Sequence, residues 1–198
     1  MRKLVIFLTC LTFFFKSLAL AYSSNPKDFV GELVNETISK LADKNLTEEE
    51  KKNFIEKVAL ENIDINALSL YTLGELRKSS SKEDINKYKE AFETYFLKTL
   101  TSRLSDYSSS KFEVLSADKK STNYTIVSSK VYPLDGGVEI KIDWRIYTKN
   151  PEKPLIRDLI VEGLSLARTQ KEEFASILNS NNNDINILIG KLEDFVNN

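Results

Sequence analysis

Val138–Glu139–Ile140–Lys141–Ile142–Asp143–Trp144–Arg145–Ile146–Tyr147 alternates apolar and polar side chains without a break. Successive side chains of a strand point to opposite faces, so this run predicts a β-strand with one dry and one wet side. A slip of one residue would turn every apolar side chain to water, which fixes the register strongly. The turn Asp135–Gly136–Gly137 precedes it and Tyr124 to Tyr132 reads as its hairpin partner. Phe112 to Ala117 forms a weaker strand before that pair. Leu155 to Leu164 forms a fourth after the Asn150–Pro151 to Pro154 turn.

On both sides of this block the apolar period is helical. Asn25 caps a helix with Pro26 at its first position and Phe29, Leu33, Ile38 and Leu41 on one face. Thr47 with Glu50 forms a capping box ahead of Phe54, Ile55, Val58 and Leu60. Asp64 caps a short helix ending near Gly74. Ser81 opens the longest helix, to about Asp106, with Ile85, Tyr88, Phe92, Tyr95, Phe96, Leu100 and Leu104 as its stripe. Ser165 or Thr169 starts a helix through Phe174, Ile177 and Leu178, and a last helix runs from Asp184 to Val196. Helices, then strands, then helices make an α+β fold: an antiparallel meander of about four strands with helices on one face.

The first residues read differently. Met1–Arg2–Lys3 is basic, Leu4 to Phe15 is apolar, and Ala19–Leu20–Ala21 is an A-x-A site, so residues 1–21 read as a signal peptide cleaved after Ala21. The apolar run is too short for a spanning helix, which needs ~20 residues, and Lys16 interrupts it. Cys10 lies inside the apolar run with the wrong neighbours for lipid attachment. Residues 22–198 then form one exported domain without Cys or His. Arg2, Lys3 and Lys16 leave with the leader, so 25 basic and 29 acidic side chains remain, a net charge of −4. A basic footprint for nucleic acid is missing, and disulfides cannot hold the fold.

Nucleophile systems built on His or Cys are excluded, as is imidazole or thiolate zinc. Neither a GxxxxGK[ST] nor a GxGxxG pattern occurs. A carboxylate pair of the glycosidase type is the catalytic arrangement left, with Asp143 and Asp158 on adjacent strands and Glu162 beyond. Acidic residues alternating with Val and Ile are more simply the solvated side of a half-exposed sheet. The residues describe a binding protein rather than an enzyme.

Two ordered segments carry a resemblance. Leu73–Gly74 is followed by Ser81–Lys82–Glu83–Asp84 and a helix bearing Tyr88, Phe92 and Tyr95. Asp143–Trp144–Arg145–Ile146 is followed by Asp158–Leu159–Ile160–Val161–Glu162–Gly163–Leu164–Ser165 and Phe174. Their order and spacing resemble the MlaC, or toluene-tolerance, family of periplasmic phospholipid-binding proteins. The chain departs from the family pattern at Leu76, Arg77, Lys82 and Arg157.

The resemblance implies a twisted antiparallel sheet packed by N- and C-terminal helices, with acyl chains in an apolar cavity between them. It implies a soluble periplasmic shuttle that needs no cofactor and carries diacyl phospholipid as cargo. Its implied partners are an outer-membrane lipoprotein–porin complex and an inner-membrane ABC transporter with an MCE-domain ring, and its role is to maintain outer-membrane lipid asymmetry. On this reading Val138, Ile140, Ile142, Trp144, Ile146, Leu159 and Val161 line the sheet side of the cavity. Phe92 and Phe96 line the helix side. The plain alternative is that many of these are ordinary core. The other functional reading is a periplasmic chaperone or adaptor that binds apolar protein segments.

Overall fold

A computed structural model describes residues 22–104, 110–134 and 136–198. The leader, with Cys10, lies outside the described residues, as does the end expected for the longest helix. The helices are α1 (Pro26–Ala42), α2 (Glu48–Asn62), α3 (Ile65–Thr72), α4 (Leu76–Ser79), α5 (Lys82–Leu104), α6 (Leu166–Asn179) and α7 (Ile185–Asn197). Between α5 and α6 run β1 (Ser110–Lys119), β2 (Tyr124–Pro133), β3 (Ile140–Tyr147), β4 (Leu155–Val161) and β5 (Leu164–Ser165). The strands pair in chain order as one antiparallel sheet, so the fold is the α+β meander that the switch of period predicts.

The helix starts follow from their caps. Asn25 Oδ1 accepts from the N–H of Lys27 and Asp28, ahead of Pro26. Thr47 and Glu50 close a reciprocal capping box, and Asp64 accepts from the N–H of Ala67. Each satisfies backbone donors that have no partner inside the helix.

Two differences from the sequence expectation bear on the expected site residues. β3 begins at Ile140, so Val138 and Glu139 belong to the connection from β2. The expected fourth strand breaks after Val161, where Glu162 (φ 48°) and Gly163 (φ 84°) turn the chain back into the two-residue β5. No heavy atom comes within 4 Å of a Cβ built on Gly163. Glycine is therefore needed there for its left-handed backbone rather than for close packing.

Side chains gather into two cores. One joins α1 to the inner face of the sheet through Phe29, Val30, Leu33, Val127, Trp144, Ile146 and Ile156. The other is helical and centres on Tyr88, Phe92, Phe174, Leu188 and Leu192. Within it Tyr88 and Phe174 meet edge-on at 6.4 Å. Burial pushes the Tyr88 phenol well above its ordinary pKa, and its hydroxyl shares a 2.8 Å hydrogen bond with Thr72 Oγ1. Ile63, between α2 and α3, packs against both cores and bridges to Ile156 of β4.

The joint between β4 and α6 rests on Asp158, which is buried. Its carboxylate accepts from Ser165 Oγ at 2.7 Å and from the Ala167 N–H at 3.0 Å, and pairs with Arg145 at 3.3 Å. Ser165 in turn caps α6 through the Arg168 N–H. Asp158→Ala strips partners from three donors in a largely desolvated place. The variant is expected to lose about 2–3 kcal/mol of unfolding free energy, read from its urea midpoint. A wild-type midpoint would show that Asp158 does not hold this joint.

Candidate functional site

The inner face of the sheet is read row by row from strand register. Thr125, Ile146 and Ile156 form one row, and Val127, Trp144 and Leu159 the next. Val114, Ser129, Ile142 and Val161 form a third, which Leu164 of β5 extends. Phe112, Val131 and Ile140 form the last. Ile156 and Leu159 share this face although they stand three positions apart. The pairing shifts between Arg145 and Ile146, leaving Arg157 as the extra residue of a bulge that resets the alternation.

Burial falls along these rows on β3 and β4. Thr125, Ile146 and Ile156 are buried, beneath the helix residues of the same core. Trp144 is buried too, and its ring meets Phe112 edge-on at 6.2 Å. Ile142, Val161, Val114, Ile140 and Phe112 are only partly buried. Along β3 and β4 the face is thus closed where β3 turns into β4 and opens towards the β2–β3 connection, while Ser129 and Val131 keep β2 buried.

A buried hydrogen-bonded pair sits in it. The Trp144 indole N–H donates to Ser129 Oγ at 2.8 Å, and that hydroxyl donates to the Ile142 carbonyl at 3.0 Å. Ser129 is fully buried. A buried indole needs an acceptor, and Ser129 supplies it from the neighbouring strand.

The structure brings Ile142, Trp144, Ile146 and Leu159 into one core, with Ile140 and Val161 on the same face. Val138 is 84% exposed at the tip beyond β3. Phe92 and Phe96 stack at 6.0 Å in the helical core, where Phe92 also meets Phe174 at 6.2 Å. That core is distinct from the one over the sheet, whose helix side comes from Phe29, Val30 and Leu33 of α1 with Val34 and Val58 beside them. Sequence reading missed Ser129 and Ile156. Ser129 was legible in principle, since Thr125, Val127, Ser129 and Val131 share one phase of β2 and are all buried. Ile156 was not, because strict alternation puts it opposite Leu159.

The carboxylates weighed for hydrolysis serve the framework. Asp158 holds α6, Asp143 accepts from Ser128 Oγ at 2.6 Å, and Glu162 accepts from the Lys141 N–H. A cleft of about 680 Å³ opens between α2 and α5, with Leu41, Ile55, Leu97 and Val196 among charged residues such as Lys51, Glu56 and Glu93. None of the expected site residues lines it. Among the described residues no His, Cys, Asp or Glu cluster is placed to hold a metal ion. No described helix is long and apolar enough to cross a membrane.

The Trp144–Ser129 pair is testable. Ser129→Ala leaves the indole N–H unsatisfied and is expected to cost about 1–3 kcal/mol of stability, with a shifted emission from the chain's single tryptophan. Adding Trp144→Phe removes the orphaned donor, so the double variant should lose less than the sum of the single losses. Strict additivity would show the bond to be energetically idle.

Among solved structures, the phospholipid-binding protein from Ralstonia solanacearum, determined in complex with a phospholipid, shares this fold. Its TM-score is 0.69 at 16% identity, over 84% of this chain and 94% of that one. No curated protein matches the sequence significantly. The family described as MlaC protein matches residues 31–194, from within α1 to within α7, which takes in the whole sheet and the buried residues of both cores except Phe29 and Val30. Built on that span, the chain belongs to the MlaC family.

Proposed function

We propose that this protein is a soluble periplasmic carrier that binds diacyl phospholipid against the inner face of its sheet. It moves the lipid between an outer-membrane lipoprotein–porin complex and an inner-membrane ABC transporter with an MCE-domain ring, and so maintains outer-membrane lipid asymmetry. The observation that carries the reading is the inner face itself: a continuous apolar surface, buried at one end and partly open at the other. Membership of the MlaC family supports it, as does a neighbour of the same fold solved with a phospholipid.

Ile140, Ile142, Leu159 and Val161 contact the acyl chains, over a floor of Trp144 and Ile146. The helix side is α1, with Phe29, Val30 and Leu33, in place of the expected Phe92 and Phe96 of the separate helical core, and Val138 stands at the rim. Burial of acyl chains is worth ~0.8 kcal/mol per CH₂, on the order of 20 kcal/mol for two chains of about fifteen carbons. Escape into water is negligible on that scale, so release requires docking on an acceptor that offers another apolar path. No nucleophile takes part. The mildly acidic surface left after Ala21 keeps the carrier from adhering to anionic headgroups.

Native mass spectrometry of protein purified from the periplasm is expected to show co-purifying diacyl phospholipid, and an empty protein would overturn the reading. Ile142→Glu puts a charge on the partly open row and is expected to abolish loading while the circular dichroism of the fold persists. Undiminished loading in that folded variant would remove this face from the site.

A further inference from the structure

The apolar surface does not stop at the last row of the sheet. Leu164 lies opposite Val161, on the face that carries Ile142, and is 69% exposed. Beyond Ile140 and Val131, the β2–β3 connection carries Val138 and Leu134, 84% and 72% exposed. Leu166, the first residue of α6 and next to β5, is 48% exposed. The β3–β4 register places the β2–β3 and β4–β5 turns at the same end of the sheet. From Ile146 through Ile142 to Leu164 and Val138, one apolar surface therefore runs from full burial to nearly full exposure.

Large side chains are held in water here at a cost that the fold does not require, because none of the four belongs to a core. Their combined exposed surface is roughly 500 Å², in the range of the largest apolar patch on ordinary monomers, where such patches are often functional. A stable protein–protein contact needs ~800 Å² from each partner, and these residues project from two turns instead of forming a flat plate. The lysines flanking the first turn carry carboxylate partners: Lys130 with Glu139 at 2.7 Å and Lys141 with Asp143 at 3.3 Å. Attraction of free cations to anionic headgroups is not what this end of the molecule offers. A few apolar side chains on projecting turns match the interfacial layer of a bilayer, which accepts each one separately.

The geometry points to a membrane contact: Leu134, Val138, Leu164 and Leu166 enter the surface of a phospholipid bilayer and join its hydrocarbon to the open end of the inner face. The purpose of this contact rests on the carrier reading; the contact itself rests on the exposed residues. With the turns inserted, an acyl chain would pass from bilayer to Ile142 and Val161 without crossing water.

The test is co-flotation of the full exported protein with vesicles of phosphatidylcholine alone, at low and high salt, with bound lipid measured separately by native mass spectrometry. Wild type is expected to float with the vesicles, and to do so equally at both salt levels, since apolar insertion is not screened. Leu134→Ser combined with Leu166→Ser is expected to lower the partition coefficient about tenfold or more, with unchanged circular dichroism and unchanged lipid load. Leu60→Ser removes a 49% exposed leucine beside Leu155 and Lys153, at the opposite end of the sheet, and should leave partition unchanged. Three results would each overturn the proposal: no flotation by wild type, flotation lost at high salt, or wild-type flotation by the double variant. An equal loss in Leu60→Ser would overturn it too, by showing that the end of the sheet does not matter. A protein that floats as expected yet carries no phospholipid would sink the carrier reading and leave the membrane contact standing.

Discussion

A tryptophan ring lies under a helix in this protein, and its one polar atom has to be satisfied there. Leaving an indole N–H without a partner among Phe29, Val30, Val127 and Ile146 costs about as much as several well-packed methylenes contribute. Ser129 meets that demand from β2 and donates its own O–H to the Ile142 carbonyl of β3. This relay ties the central strand pair together at the depth of the core. Only the register that sets Ser129 opposite Ile142 and Val127 opposite Trp144 permits it. That same register places Val114, Ile142, Val161 and Leu164 in one apolar row, so the candidate lipid face and its satisfied tryptophan have a common origin.

The bulge at Arg157 is the second device on which the architecture turns. It lets Ile156 join Ile146 in the core while Leu159 and Val161 remain on the same face further along. It also turns Arg157 to the other side. There its guanidinium lies 3.4 Å over the Tyr147 ring, donates to Tyr124 Oη at 2.9 Å and pairs with Asp64 at 2.7 Å. Asp64 is the cap of α3, so one extra residue in β4 links the sheet to the helical core. Asp158, next in the chain, links it to α6. Arg157 thus sets a cation over aromatic rings of β2 and β3.

Local rules read the ends of elements well. Asn25, Thr47, Asp64 and Ser165 cap the helices that their sequence signatures announce, because a cap is settled by residues within one turn of it. The strand alternation of β3 was equally legible from Ile140 onward. Val138 was not, since an apolar residue ahead of a strand looks the same whether the ladder includes it or the turn does. Phe92 and Phe96 show a related limit. Their spacing demands a buried stripe, and the stripe is buried, but against Phe174 and Tyr88 instead of the sheet. A helical period specifies that a face is covered without naming what covers it.

Sequence by itself settled the α+β class, the order of helices and strands, the capped starts and the identity of the dry face of β3. Each of these follows from interactions among residues a few positions apart. Tertiary structure alone decided which helix covers that face, that Ile156 and Leu159 share it, that Ser129 completes Trp144, and that the turns carrying Leu134, Val138 and Leu164 lie at the same end of the sheet. Those depend on strand register, on one bulge and on the packing of elements far apart in the chain, and none of these leaves a periodic trace in the order of residues.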